Sequence, residues 1–90
     1  MEALTHVDAE KTMLGCVLLD PGCLYRVLPL VKAQDFSLDS HRRIYHAIAG
    51  LAEAGKPVDT LTVTDALIAK GQLEAVGGVA YVCELSNNVT

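Results

Sequence analysis

The feature that most constrains this chain is the punctuation of its second half. Gly55-Lys56-Pro57-Val58-Asp59, Lys70-Gly71 and Gly77-Gly78 cut residues 50–90 into short pieces. Glycine accepts the left-handed backbone that ends a helix, and proline withholds a donor and blocks continuation. Between the cuts the apolar residues recur at helical spacing. The one alternating stretch, Leu61-Thr62-Val63-Thr64, is short and sits beside a helix cap. The expected class is therefore all-α: a compact bundle of about six short helices, small enough to be a single domain.

The same logic, run along the chain, predicts residues 1–7 as a flexible lead-in and 8–90 as one helical domain. Helices are expected near 9–19, 21–28, 40–54, 62–70 and 78–87, with one turn near 73–76. Asp8 is read as the cap of the first helix, with Glu10 at the positive end of its dipole. Met13, Leu14, Val17 and Leu18 form its apolar face, and the small Gly15 and Cys16 let a neighbouring helix approach. Asp20-Pro21 caps and opens the second helix. Leu24, Val27, Leu28 and Val31 give its face, and Pro29 ends or kinks it at Leu28. Asp35 and Phe36 lie in a polar connector whose ring is expected to tuck inward. Ile44, Ala47, Ile48, Leu51 and Ala52 form the third stripe. Thr62 with Asp65 reads as a capping-box pair for the fourth helix, with Leu61 as a staple. Gly77-Gly78 opens a last helix through Val79, Val82 and Leu85, ending near Asn87-Asn88. Leu14, Leu18, Ile44, Ile48, Leu51, Leu67 and Leu85 are the expected core.

Composition narrows what such a bundle can do. Formal net charge is −4, and Arg42-Arg43 is the only adjacent pair of bases. Nucleic-acid binders neutralise phosphates with a basic stripe, and this chain has none, so strong direct DNA binding is not expected. Apolar residues make up 51%, more than a small core needs, which points to a protein interface. No membrane-length apolar run and no signal-like N-terminus is present, and the three cysteines, Cys16, Cys23 and Cys83, form no CxxC. The implied setting is cytoplasmic, with free, mostly buried thiols.

Three apparent motifs have bland readings. Gly50-Leu51-Ala52-Glu53-Ala54-Gly55-Lys56 has the GxxxxGK spacing of a phosphate-binding loop. It lacks the following Ser or Thr and ends an expected helix, so it reads as a glycine stop. His41 and His46 are five apart, unlike the three or four of a helical metal pair, and two arginines stand between them. They read as a solvated face, or His41 as a residue near a helix start. The cysteines lie in apolar helical contexts unlike the electropositive, open setting of a catalytic thiol. No residue is assigned as catalytic, cofactor-binding or metal-ligating.

Taken in order, longer strings resemble one family. His6-Val7-Asp8-Ala9-Glu10-Lys11-Thr12-Met13-Leu14-Gly15-Cys16-Val17-Leu18-Leu19-Asp20 is similar to the opening of the N-terminal domain of DnaB-type replicative hexameric helicases, with one residue fewer after the histidine. Asp35-Phe36 and His41-Arg42-Arg43-Ile44-Tyr45-His46-Ala47-Ile48 follow the next block, with Ser37 where the family usually has tyrosine. Leu51, Gly55, Pro57-Val58-Asp59, Thr62, Leu67, Gly71, Leu73, Val76-Gly77-Gly78, Ala80-Tyr81, Glu84-Leu85 and Asn88 match the third. The motif positions Gly15, Asp35, Phe36, His41, Arg42, Ile44, Gly55, Pro57, Asp59, Gly71, Gly77, Gly78, Tyr81, Glu84 and Leu85 are given structural roles.

The resemblance implies a six-helix head that stops where a helical hairpin would begin, a fragment without hairpin or ATPase domain. It implies a parent that unwinds DNA with ATP and magnesium; the head itself holds no cofactor. Implied partners are other helicase subunits, with weak self-association for the head alone, then primase and possibly a helicase loader. Two other readings stay open: the helicase-binding domain of a primase, which has a similar helical fold, and a free-standing helical adaptor or helicase modulator. A small enzyme is more distant.

Overall fold

The computed structural model describes residues 6–87. Among them are five α-helices, α1 (His6–Leu19), α2 (Pro21–Val27), α3 (Asp39–Glu53), α4 (Thr60–Ala69) and α5 (Gly78–Asn87). Two single 3-10 turns, Ala33–Asp35 and Glu74–Val76, complete the described elements, which include no strand.

The helix ends follow local chemistry. The Asp20 carboxylate accepts the Gly22 amide and Pro21 takes the first position of α2, as the sequence predicts. The helix stops at Val27, one residue before the expected boundary and ahead of Pro29. At the end of α3, Gly55 adopts φ 72° and the Lys56 amide bonds back to the Leu51 carbonyl (2.9 Å). The GxxxxGK string is thus the last turn of a helix and its stop.

Several expectations need correction. The first helix begins at His6, so His6 and Val7 belong to α1 and not to a lead-in, and Asp8 lies in its first turn where its charge suits the dipole. Residues 1–5 and 88–90, Asn88 among them, lie outside the described residues. The capping box of α4 is Asp59 with Thr62, not Thr62 with Asp65. The Asp59 carboxylate accepts the Thr62 amide (2.9 Å) and the Thr62 hydroxyl accepts the Asp59 amide (2.9 Å). That pulls the helix start back by two residues and leaves Leu61 exposed rather than stapled. On α5, Val82 and Leu85 turn inward and Val79 is exposed. Cys83 is exposed and the other two cysteines are half-buried, so the thiols are less enclosed than expected.

The core is a single cluster. Leu14, Val17 and Leu18 enter from α1, Leu24 from α2, Ile44, Tyr45, Ala47 and Ile48 from α3, Val63 and Leu67 from α4, and Val82 and Leu85 from α5. Phe36 and Val76 close it from the connectors. Six of the seven expected core residues are buried there; Leu51 is only half-buried, packed at its edge. α1 lies against α2, α3 and α5, while α4 packs on α3 and α5, so α3 and α5 both sit between α1 and α4.

Candidate functional site

The one concentration of buried polar chemistry in the described residues lies where α1, α3 and α5 meet. His41 is completely enclosed on the first turns of α3. Its Nδ1 is 2.7 Å from Glu10 Oε1 on α1, and its Nε2 is 2.6 Å from the Tyr81 hydroxyl on α5. An ionised carboxylate can only accept, so Nδ1 carries a proton and donates to Glu10. In the neutral imidazole Nε2 then accepts, and the Tyr81 hydroxyl donates to it. The imidazole and phenol rings lie nearly parallel, with centroids 5.9 Å apart, and the Phe36 ring meets His41 edge-on at 6.3 Å.

Further contacts extend this seam. The Ser37 amide donates to Glu10 Oε2 (2.6 Å), so one carboxylate ties α1 to α3 and to the connector before it. Burial pushes the Glu10 carboxyl upward, but hydrogen bonds from His41 and Ser37 outweigh it and hold the group below its ordinary value. Burial is also the main cause that raises the Tyr81 phenol; Lys11 opposes it while Glu84 and Glu10 add to it. At the solvent edge Lys11 Nζ pairs with Glu84 Oε2 (3.2 Å) and lies 5.9 Å from the centre of the Tyr81 ring. With Glu84 about half exposed, that ion pair contributes at most about 1 kcal/mol.

A Tyr–His–Glu chain has the parts of a proton relay. Here its central ring has no exposed surface and both ring nitrogens are engaged, so no substrate atom can reach it. The arrangement acts as a clamp: three directional bonds set the register of α1, α3 and α5.

The motif positions divide by what they do. Asp35 Oδ2 accepts the Lys32 amide (2.8 Å) and steadies the 3-10 turn. Phe36 is buried against Tyr45, and the Tyr45 hydroxyl donates to the Val31 carbonyl (2.8 Å). Arg42 Nε donates to the Phe36 carbonyl (2.7 Å), fixing the connector to α3. Gly15, Ile44 and Leu85 are buried. Gly55, Gly71, Gly77 and Gly78 all have positive φ, Asp59 caps α4, and Pro57 lies exposed in the connector before it. Gly77 is the most constrained: at φ 107° its added Cβ would stand 2.9 Å from the Tyr81 Cβ. Glu84 and Tyr81 belong to the seam. Ser37 joins it through its backbone amide.

The reading of His41 as a solvated residue is overturned. Its position near the start of α3 is as expected, but it shares the buried stripe of Ile44, Tyr45 and Ile48 at spacings of three, four and seven. That spacing was the available signal. His46 is exposed, and the Lys70 ammonium donates to its Nδ1 (3.0 Å), so the two histidines face different surroundings. The partnership of Glu10 with His41 had no local sequence signal, since 31 residues separate them. Among the described residues no group of three or more potential metal ligands is gathered, and no helix is long and apolar enough to cross a membrane. The surface carries open grooves. One of about 460 Å³ runs between the end of α2 and α3, lined by Tyr25, Leu28, Val31 and Tyr45 among others.

Comparison with known proteins places this geometry. The replicative DNA helicase DnaB of Geobacillus stearothermophilus is 42% identical over 83 residues, covering 92% of this chain and 18% of that protein. The replicative DNA helicase DnaC of Bacillus subtilis is 37% identical over 84 residues, covering 93% of this chain and 18% of its own length. The chain therefore spans about a fifth of the curated relatives it matches. The crystal structure of the N-terminal domain of DnaB helicase from Mycobacterium tuberculosis superposes with a TM-score of 0.88 at 34% identity, covering 91% of this chain and 57% of that one. The family model described as the DnaB-like helicase N terminal domain matches residues 2–90. By fold, by sequence and by nearly complete coverage, the chain belongs to the DnaB-like helicase N-terminal domain family.

Proposed function

We propose that this chain is the protein-docking head of a replicative DNA helicase. In this reading it contributes to the collar that the N-terminal regions of the subunits build, and it helps recruit primase, with a helicase loader as a further partner. The parent unwinds DNA in the cytoplasm with ATP and magnesium, which its ATPase domain and not this head would hold. The observation that carries the reading is the family match across residues 2–90.

The surface supports docking to protein rather than to nucleic acid. The net charge is −4. Of the adjacent arginines, Arg43 pairs with Asp39 Oδ2 (2.7 Å), and the Nε of the exposed Arg42 is held by the Phe36 carbonyl. Leu19, Tyr25, Leu30, Leu61, Ile68 and Val79 are exposed. Such apolar surface is costly to leave in water and characteristic of interfaces.

The test is a chimaera in which this chain replaces the matching residues of the Geobacillus stearothermophilus helicase. Hexamer assembly by sedimentation and ATP-dependent unwinding stimulated by primase are expected. A soluble, folded chimaera that stays monomeric would contradict the collar role. Retained assembly without any response to primase would contradict the recruitment role. Separately, saturable submicromolar binding of the isolated chain to a single-stranded oligonucleotide at about 150 mM salt, weakened by Arg42→Ala with Arg43→Ala, would make α3 a nucleic-acid surface instead.

A further inference from the structure

α2 rests on α1 and has little direct contact with α3, and the open groove of about 460 Å³ lies in the gap. At its base is the Tyr45 ring, buried, with its hydroxyl donated to the Val31 carbonyl (2.8 Å). The one polar hydrogen of that ring is spent, so the base favours apolar contact. Tyr25, 61% exposed, stands at the rim. Such apolar surface is costly to leave in water.

Two exposed charges also line the groove, Lys32 and Glu53. Neither has an ion-pair partner among the described residues. Lys32 follows Val31, which the Tyr45 hydroxyl holds. Glu53 is the last residue of α3, eight residues beyond Tyr45 and so about 12 Å along the helix axis. Opposite charges therefore mark opposite ends.

The shape selects a helix as occupant. Along α3 the lining residues Tyr45, Ala49 and Glu53 are four apart, and the small Ala49 leaves a gap in that row. Rows of this kind receive side chains from a second helix. An extended segment pairing through its backbone needs a strand edge, and the described residues have none. An amphipathic helix with apolar side chains at i, i+3 and i+7 covers about the same length as the row. A second copy of this chain fits less well. Its exposed α4 residues Leu61 and Ile68 have the exposed Asp65 between them rather than at an end.

We propose that the α2–α3 groove docks an amphipathic helix of a partner protein, with an apolar stripe between an acidic side chain facing Lys32 and a basic one facing Glu53. The proposal rests on the reading of this chain as a protein-docking head and gives that head one surface. The apolar stripe supplies the affinity, and the end charges reject helices with like charges at both ends.

The probe is a synthetic helix of about three turns with leucines at i, i+3 and i+7. It carries glutamate at one end of that stripe and lysine at the other, and a lactam bridge on its outer face holds it helical. Titrated into the isotope-labelled chain, it should shift the amide resonances of Tyr25, Tyr45 and Ala49 saturably. Ala49→Leu fills the gap and should weaken binding at least about tenfold, with helical circular dichroism unchanged. Lys32→Glu should weaken it about threefold and favour instead a peptide with lysine at both ends. Adding Glu53→Lys to Lys32→Glu should restore the original peptide, now lying the other way round. Binding indifferent to Ala49→Leu, shifts centred on Leu61 and Ile68, or equal affinity for all end charges would overturn the proposal. So would a dimer in sedimentation that Ala49→Leu dissolves, since a second copy would then be the occupant. The chimaera separates the two readings. No peptide binding beside a chimaera that assembles and responds to primase overturns the groove alone; peptide binding beside a monomeric, unresponsive chimaera overturns the collar and recruitment roles alone.

Discussion

Where α1, α3 and α5 meet, the contact adds to the shared aliphatic core a run of polar side chains, Glu10, His41 and Tyr81, each with a partner at 2.6–2.7 Å. α3 and α4, which pack against each other, bring aliphatic side chains to the core, Ile44 and Ile48 from one and Val63 and Leu67 from the other. There one polar atom, Thr64 Oγ1, is buried without a partner. The two regions achieve helix packing by different means. Aliphatic packing is strong but non-directional, and tolerates repacking when volume is kept. A hydrogen-bonded chain adds less net energy per contact, yet it admits one register, because any shift leaves buried polar groups unpaired. The chain combines an aliphatic core that supplies most of its stability with a seam that makes the placement of α5 unique.

The largest effect should come from breaking the seam at its centre. His41→Ala takes a partner from Glu10 Oε1 and from the Tyr81 hydroxyl and opens a cavity, at an expected cost of about 3–5 kcal/mol. In a domain whose whole stability is about 5–10 kcal/mol, chemical denaturation should show a much lower midpoint. An unchanged midpoint would mean the seam is dispensable. On the aliphatic side, Ile48→Ala should cost about 3 kcal/mol, while Ile48→Leu should cost under about 1.5 kcal/mol. The comparison sharpens if the seam lacks such a forgiving substitute, and breaks if His41→Leu is as mild as Ile48→Leu.

Gly77→Ala tests how closely the backbone approaches the seam. The new Cβ would meet the Tyr81 Cβ at 2.9 Å at a φ of 107°, for an expected cost of about 1–3 kcal/mol. A neutral result would show that α5 can shift and that the register is not tightly held. The smallest effect is a gain. Thr64→Val removes the unpartnered hydroxyl at nearly constant shape and should stabilise by about 1 kcal/mol in the same denaturation assay. A loss would show that the hydroxyl has a partner and that the α3–α4 side is less purely aliphatic than described.

Most of the helices were legible because their signals are local. The glycines at 55, 71 and 77 and the Asp20-Pro21 pair act within one turn, and the expected ends of α2, α3 and α5 fall within one residue of those observed. The start of α4 was misplaced because two capping pairs overlap, and Asp59 outcompetes Thr62 when the Thr62 side chain can return the bond to the Asp59 amide. The seam was only partly legible. His41, Tyr81 and Glu84 were picked out by family likeness, and the buried face of α3 could have placed His41. The use of Glu10 could not be read, since a carboxylate in the first turns of a helix is equally suited to its dipole and only the folded chain brings Ser37 and His41 to it.

The central claim is that His41 is buried, donates through Nδ1 to Glu10 and is hydrogen-bonded through Nε2 to the Tyr81 hydroxyl. Nitrogen NMR of the histidine-labelled chain at neutral pH reads this directly, with His46 on the surface as the internal reference. The expected result is a proton on Nδ1 of His41 that is slow to exchange with water, and a change in the Nε2 resonance in Tyr81→Phe. A rapidly exchanging mixture of tautomers, or a proton on Nε2 with none on Nδ1, would contradict it.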